Sequence, residues 1–330
     1  MAISMADISK LRSMTGAGMM DCKKALTEAE GDFDKAVEII RKRGQAIAAK
    51  RSDRDAAEGC ILAGSKDGFA ATIALKCETD FVAKNADFIA LAQQILDKAI
   101  EEKPATLEAL NGLSIDGSTI QQLITDRSGV TGEKMELGMY EFVNGESTFA
   151  YIHPGNRLAS VVAFNQKGLD EQVYKDIAMQ IAAMNPVAVD EAGVPAEVIE
   201  KEKEVAVEKT KQDQIAKAVE VALKKAGINP AHVDSEDHIE SNMAKGWITA
   251  EDAAKAREIK EKVAAEKAES LPAQMIENIV KGRIAKFFKE CTLLEQAFIK
   301  DQKASVADYL KSVSKDLTVT SFKRITLNQE

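Results

Sequence analysis

Phe69-Ala70-Ala71-Thr72-Ile73-Ala74-Leu75-Lys76-Cys77, running into Glu78-Thr79-Asp80-Phe81-Val82-Ala83-Lys84-Asn85, is where this chain changes its hydrophobic period. Phe69, Ala71, Ile73, Leu75 and Cys77 share one face at period two, with Ala70, Thr72, Ala74 and Lys76 on the other, which is the pattern of a half-buried strand. From Asp87 onward Phe88, Leu91, Ile95 and Ala99 recur at helical spacing, so a helix is predicted over 87–103. Residues 79–84 are then the turn that launches this helix, and a bulky apolar ring falls within it. Phe81 either pins the start of the helix as a hydrophobic staple, a role open also to Val82, or is presented outward for a partner.

On either side of this stretch the same theme recurs. Ile61 and Ala63 lead into Gly64-Ser65-Lys66-Asp67-Gly68, so residues 58–77 are predicted to form a β-hairpin on which the 87–103 helix packs. A further helix over 118–128, capped by Ser118, leads through Gly129 and Gly132 to an extended segment. Tyr140 and Phe142 precede Asn144-Gly145, and Thr148, Ala150 and Ile152 follow it, so a second tight hairpin is predicted there. Pro154-Gly155 turns the chain into a strand over 158–164, and a helix carrying Val173, Ile177, Ile181 and Met184 comes next. His153 lies where hairpin meets turn, an ordinary place for a surface histidine. The expected fold class is α+β, with two related antiparallel sheet-plus-helix halves, 56–139 and 140–196 joined by 271–330.

Before this core, Ile8, Leu11 and Met14 recur at helical spacing, Thr15-Gly16-Ala17-Gly18 breaks the pattern, and Cys22, Ala25 and Leu26 resume it. Gly31 stops the second helix, and Asp32 caps a third, carrying Phe33, Ala36, Val37 and Ile40, that Gly44 is expected to end. Three short helices in residues 1–55 share one small core, with 45–56 a solvated helical linker. The glycine loop is not a phosphate loop, because no Gly-Lys-Ser/Thr follows it and no strand precedes it. Met19 and Met20 next to the loop read either as core gap-fillers or as an adaptable contact surface, one pointing each way.

Residues 197–270 differ in character. They are dominated by Ala, Glu and Lys, with Trp247 the only tryptophan of the chain, and cannot bury a broad core. Ile215, Val219, Ala222 and Ala226 form a narrow helical stripe ended by Gly227 and Pro230. Thr249 and Asp252 supply a capping box for a return helix with Ala256, Ile259 and Val263. An inserted antiparallel coiled-coil hairpin is predicted, with one short helix over 235–245 between its arms. Residues 275–288 are expected to return to the core, and 317–327 to form a last strand.

Across 330 residues the net charge is −9 and the aromatic content 5%, with a pI near 5.2. A nucleic-acid-binding surface is therefore not expected, and a protein partner is. No apolar run approaches the ~20 residues that span a bilayer, and the N-terminus lacks the basic-then-apolar order of a signal peptide, so no membrane association and a cytoplasmic home are expected. Cys22, Cys60, Cys77 and Cys291 are too scattered for a zinc knuckle or a redox pair, and His153, His232 and His238 complete no nucleophile or metal pattern. Neither a catalytic residue nor a cofactor is predicted.

Thr15-Gly16-Ala17-Gly18-Met19-Met20-Asp21-Cys22-Lys23-Lys24-Ala25-Leu26 and Thr79-Asp80-Phe81-Val82-Ala83-Lys84 together resemble the two signatures of the elongation factor Ts family, bacterial exchange factors for the translational GTPase elongation factor Tu. The resemblance implies a ubiquitin-associated-like N-terminal domain and a helical hairpin that protrudes from the second core half, here longer than the common form. It implies that Thr79, Asp80, Phe81 and Val82 reach the GTPase beside its magnesium site. Arg12, Met19 and Met20 are then expected to touch a helix of the GTPase domain, and His153 a different domain. Leu293 to Phe298 and Val306 to Leu310 resemble the family's closing segments; the further C-terminal helix of some members is not expected here. Guanine-nucleotide exchange without covalent chemistry is the implied activity. The competing readings are a ubiquitin-like-binding or chaperone adaptor, and an enzyme using Cys22 or Cys77.

Overall fold

The computed structural model describes residues 3–328. Two compact units are present: one built from the chain up to Val189 and from Ala297 onward, the other from Asp190–Gln296.

The first unit opens with α1 (Met5–Thr15), α2 (Met19–Glu28) and α3 (Phe33–Ala49). Ser4 and Asp7 form a reciprocal capping box, and Gly16 closes α1 at φ 70°, a left-handed conformation suited to glycine. The three helices share a core of Ile8, Leu11, Cys22, Ala25, Leu26 and Ala36. Gly44 does not end the third helix as its type suggested; α3 runs through it to Ala49. The reason is tertiary. A Cβ added at Gly129, in the later helix Ile120–Thr131, would lie 2.2 Å from the Gly44 Cα, so two glycines allow two helix backbones to cross in contact. Nor is 45–56 a free linker, since Arg51 and Arg54 are tied to Glu78 at 3.5 and 2.9 Å.

β1 (Glu58–Lys66) and β2 (Phe69–Cys77) form the expected hairpin, followed by α4 (Asp80–Ala83) and α5 (Ala86–Glu102). After α6 (Leu107–Gly112) comes a two-residue ladder of β3 (Ser114–Ile115) with β4 (Ser118–Thr119). Thr119, not Ser118, then caps α7 (Ile120–Thr131) in a box with Gln122. β5 (Glu136–Asn144) pairs with β2, β6 (Ser147–Ile152) pairs with β7 (Leu158–Phe164), and α8 (Glu171–Met184) follows. The sheet order β1-β2-β5 places β2 in the middle.

Two departures from expectation have one cause, the packing of the two sheets face to face. β2 is buried on both faces, because Ala70, Thr72 and Ala74 are fully covered. On one side Phe69, Ile73 and Leu75 meet Phe88, Leu91 and Ile95 of α5. On the other, Ala74 and Ala70 meet Ala159, Val161 and Ala163 of β7. The alternation in β2 is thus large against small rather than apolar against polar, and Thr72 satisfies its hydroxyl by donating to the Leu62 carbonyl at 3.0 Å. Asn144-Gly145 is a crossing between sheets, not a hairpin. Gly145 donates to the Gly68 carbonyl and Glu146 to that of Phe164, each at 3.0 Å, and a Cβ on Gly145 would approach the Ala163 Cβ to 2.9 Å. All of β5 therefore belongs to the first sheet, including residues 140–144 assigned above to the second half, and the second hairpin turns at Pro154-Gly155.

The second unit contains α9 (Ala196–Lys225), α10 (Glu236–Ala244), α11 (Ala250–Ser270) and α12 (Ala273–Cys291). α11 packs against α9, and the Thr249–Asp252 capping box starts it as predicted. Leu223, Ile228, Val233, Ile239, Ile248 and Ala253 form a small core where the arms connect. α12 was expected in the core half that resumes at 271. It packs instead on α9, where Ile276, Val280 and Ile284 share an apolar groove with Val207 and Arg283 pairs with Asp213. The chain re-joins the first unit as β8 (Ala297–Phe298), β9 (Asp301–Ser305), α13 (Val306–Val313) and β10 (Val319–Thr326), the last pairing with β7 in the order β10-β7-β6. Among the described residues no helix is long and apolar enough to cross a membrane.

Candidate functional site

The turn after β2 is a single helical turn rather than a loop. Thr79 takes an extended backbone and caps α4 through its hydroxyl, which accepts from the Val82 amide at 3.5 Å. Asn85 then caps α5, accepting from Asp87 and Phe88 at 2.9 and 3.3 Å. The two caps, Thr79 and Asn85, leave five residues between them, room for the single turn of α4, and successive residues of α4 point about 100° apart. Val82 and Ala83 pack onto the first sheet's core. Phe81 is directed away and is 84% exposed, more than Met5 at 66% or Met20 at 65%. Of the two readings open for its ring, the outward one holds, and Val82 takes the inward contact.

Asp80 is exposed and forms an i,i+4 ion pair with Lys84 at 2.7 Å. The hydrogen bond from Lys84 holds its carboxyl below the usual 3.8, so Asp80 carries a negative charge at neutral pH beside the bare ring.

What fixes the turn comes from far away in the chain. The Glu133 carboxylate accepts from the backbone amides of Glu78 and Thr79 at 3.2 and 3.1 Å and from the Thr79 hydroxyl at 2.7 Å. In return Glu78 accepts from the Lys134 amide at 2.6 Å and from Arg54; the bond from Lys134 is the first cause of its lowered carboxyl. These reciprocal bonds join the end of β2 to the α7–β5 connection. Sequence reasoning missed Glu133, Glu78, Arg51, Arg54 and Lys134, since Thr79 and Glu133 are 54 positions apart and no spacing rule links them.

The remaining expected contacts lie elsewhere in the first unit. Arg12 is exposed near the end of α1. At the start of α2, Met19 packs on the three-helix core while Met20 is exposed. His153 is exposed at the β6–β7 turn, with its Nδ1 3.1 Å from the Tyr151 hydroxyl. The structure thus joins Thr79, Asp80, Phe81 and Val82 in one turn and distributes Arg12, Met19, Met20 and His153 over α1, α2 and the β6–β7 turn.

Among the described residues no group of three or more His, Cys, Asp or Glu side chains is placed to hold a metal ion. The Cys77 thiol donates to the Thr79 carbonyl at 3.2 Å, and burial pushes its pKa up to about 12, with the Glu133 charge adding to the shift. A thiol so placed supplies almost no thiolate at neutral pH, which removes the chemistry a Cys77 nucleophile needs.

Residues 78–329 match the family model described as Elongation factor TS. The chain is 62% identical to the elongation factor Ts of Bacteroides fragilis over 331 residues, covering 100% of both chains. The corresponding proteins of Bacteroides thetaiotaomicron and Porphyromonas gingivalis are 62% and 49% identical, again over the full length of both chains.

Proposed function

The chain belongs to the elongation factor Ts family, a family of translation elongation factors, and on that footing we propose that it is a guanine-nucleotide exchange factor for elongation factor Tu in the cytoplasm. The observation that carries the reading is a phenylalanine ring held 84% exposed on a one-turn helix, beside an ionised aspartate. In the family the matching turn presses into the GTPase beside its magnesium ion. Phe81 then wedges between helices of the GTPase while Asp80 disturbs the water shell of the magnesium that bridges nucleotide and protein. Thr79 and Val82 hold the wedge from below, and Arg12, Met19, Met20 and His153 supply the contacts that dock it.

The energetics suit a binding protein. A nucleotide held at nanomolar affinity represents ~12 kcal/mol, so its release is slow unless a partner favours the empty GTPase. Such coupling is reciprocal. Whatever weakens nucleotide binding is itself expelled when nucleotide returns, so the factor is released by GTP or GDP. Neither a nucleophile nor a cofactor enters this cycle.

The test is release of fluorescent GDP from elongation factor Tu followed by stopped flow. Addition of this protein is expected to accelerate release by a factor of ~100 or more, corresponding to about 3 kcal/mol of barrier. A trace superimposable on that of the GTPase alone overturns the proposal. An adaptor built on the three-helix domain would capture its partner without regard to nucleotide, so a complex dissociated by GDP excludes it.

A further inference from the structure

We propose that Glu133 is a positioning residue for exchange: its carboxylate aims the Phe81 ring by locking Glu78 and Thr79, the residues that lead into its turn. This inference rests on the exchange reading above. Glu133 lies in the connection after Gly132, which closes α7 in the left-handed region at φ 73°, and its own carbonyl accepts from Ser128 at 2.5 Å. The side chain is half-buried and reaches from just before β5 to the residues that follow β2, the strand β5 pairs with. One oxygen, Oε2, receives both the Glu78 and Thr79 amides, and the other, Oε1, receives the Thr79 hydroxyl. All three donors belong to the two residues that lead into α4.

Isolated helices of one turn do not persist in water, because nucleation costs more than a single turn returns. α4 spans Asp80–Ala83, so its order must come from outside. Val82 and Ala83 anchor its inner side, but apolar contact is non-directional and by itself sets rotation about the turn's axis only loosely. Hydrogen bonds from a carboxylate are directional and fix that rotation. With them, the ring arrives at the partner already oriented; without them, it must be ordered during docking. The reciprocal capture of the Lys134 amide by Glu78 at 2.6 Å keeps the Glu133 main chain in place. Loss of the carboxylate is therefore expected to change the speed of release once the complex has formed more than the strength of docking.

The experiment measures the GDP-release rate from elongation factor Tu as a function of factor concentration for the wild type, Glu133→Ala, Glu133→Asp and Glu133→Gln. Glu133→Ala and Glu133→Asp, the latter one methylene too short, are expected to lower the saturating rate by about tenfold while the half-saturating concentration moves less than about threefold, the signature of lost orientation rather than lost docking. Glu133→Gln keeps an amide oxygen for the two N–H groups and an NH₂ that donates to the Thr79 hydroxyl, and is expected to restore most of the rate. Amide hydrogen exchange at 80–84 is expected to quicken in Glu133→Ala while the unfolding midpoint stays near that of the wild type. A wild-type saturating rate in Glu133→Ala, equal impairment of all three variants, or unaltered exchange at 80–84 overturns the proposal. Phe81→Ala, run alongside, separates the two levels: slow release in that variant with normal release in Glu133→Ala sinks only the role of Glu133, whereas normal release in Phe81→Ala sinks the exchange reading, and the amide-exchange result then decides whether Glu133 orders the turn.

Discussion

Two exposed aromatic rings, Phe81 in the first unit and Trp247 in the second, are 84% and 62% exposed, yet their surroundings differ in kind. Trp247 follows Gly246, which ends the short α10 segment at φ 73°, and is covered in part by its own neighbours. The Lys245 ammonium stands 5.0 Å from its ring centroid and the His232 ring 5.7 Å away. Phe81 has neither a ring nor a cation stacked on it among the described residues. The backbone leading into its turn, by contrast, is braced by Glu133 through Glu78 and Thr79. A large apolar side chain gains ~1.5–3 kcal/mol on full burial. Trp247 has already drawn part of that from within its own unit, whereas the Phe81 ring keeps nearly all of it for a partner. Exposure alone does not mark a binding residue; exposure on a rigid support, with no internal cover, does.

The largest effect that could break this contrast is that of Phe81→Ala. It is expected to slow GDP release from elongation factor Tu by an order of magnitude or more, as loss of a central aromatic anchor does, while circular dichroism and the melting temperature stay near wild type because the ring contributes little to its own fold. A stopped-flow rate equal to wild type would erase the distinction between the two rings. His153 is an intermediate case, exposed but bonded to Tyr151 at 3.1 Å. His153→Ala is expected to weaken the complex about threefold to tenfold by titration calorimetry, with a smaller effect on the release step; unchanged affinity removes it from the contact set.

Trp247→Ala sharpens the contrast from the other side. GDP release is expected to stay within about twofold of wild type, and stability to fall by less than about 1 kcal/mol, the scale of an exposed cation–π contact. A tenfold slowing would place the second unit in the exchange surface. The smallest effect concerns the charge beside Phe81. Lys84→Met removes the main cause of the lowered Asp80 carboxyl, so an NMR titration is expected to move its midpoint up toward 3.8. The sign follows from linkage: a carboxyl depressed in the folded state stabilises it above the unfolded pKa, and that contribution is lost as pH falls through the folded value. An unmoved midpoint would mean that Lys84 is not what holds it down.

Much of the fold was readable residue by residue. The strand at 69–77, the helix after it and the Thr249–Asp252 box appear where local pattern put them, because caps and periodicity act over three or four residues. Glycine misled twice. Gly44 reads as a helix stop and Gly145 as a hairpin turn, yet Gly44 lies under a helix whose Gly129 has no room for a Cβ, and Gly145 sits where the second sheet comes too close for one. The two uses of glycine, torsional freedom and small size, are identical in a sequence. α12 was misplaced for a related reason, since an apolar stripe says that a face is covered and not by which neighbour.

By itself the sequence determined the family through its two motifs, the elements through their periods and caps, and the residues of the turn that carries Phe81. Only the tertiary structure decided that the ring faces outward, that β2 is covered on both sides, and that Glu133 holds the turn across 54 positions. The physical reason is range. A hydrophobic period records how one segment meets an interior, while directional bonds and close backbone crossings between distant segments exist only once those segments have been packed together.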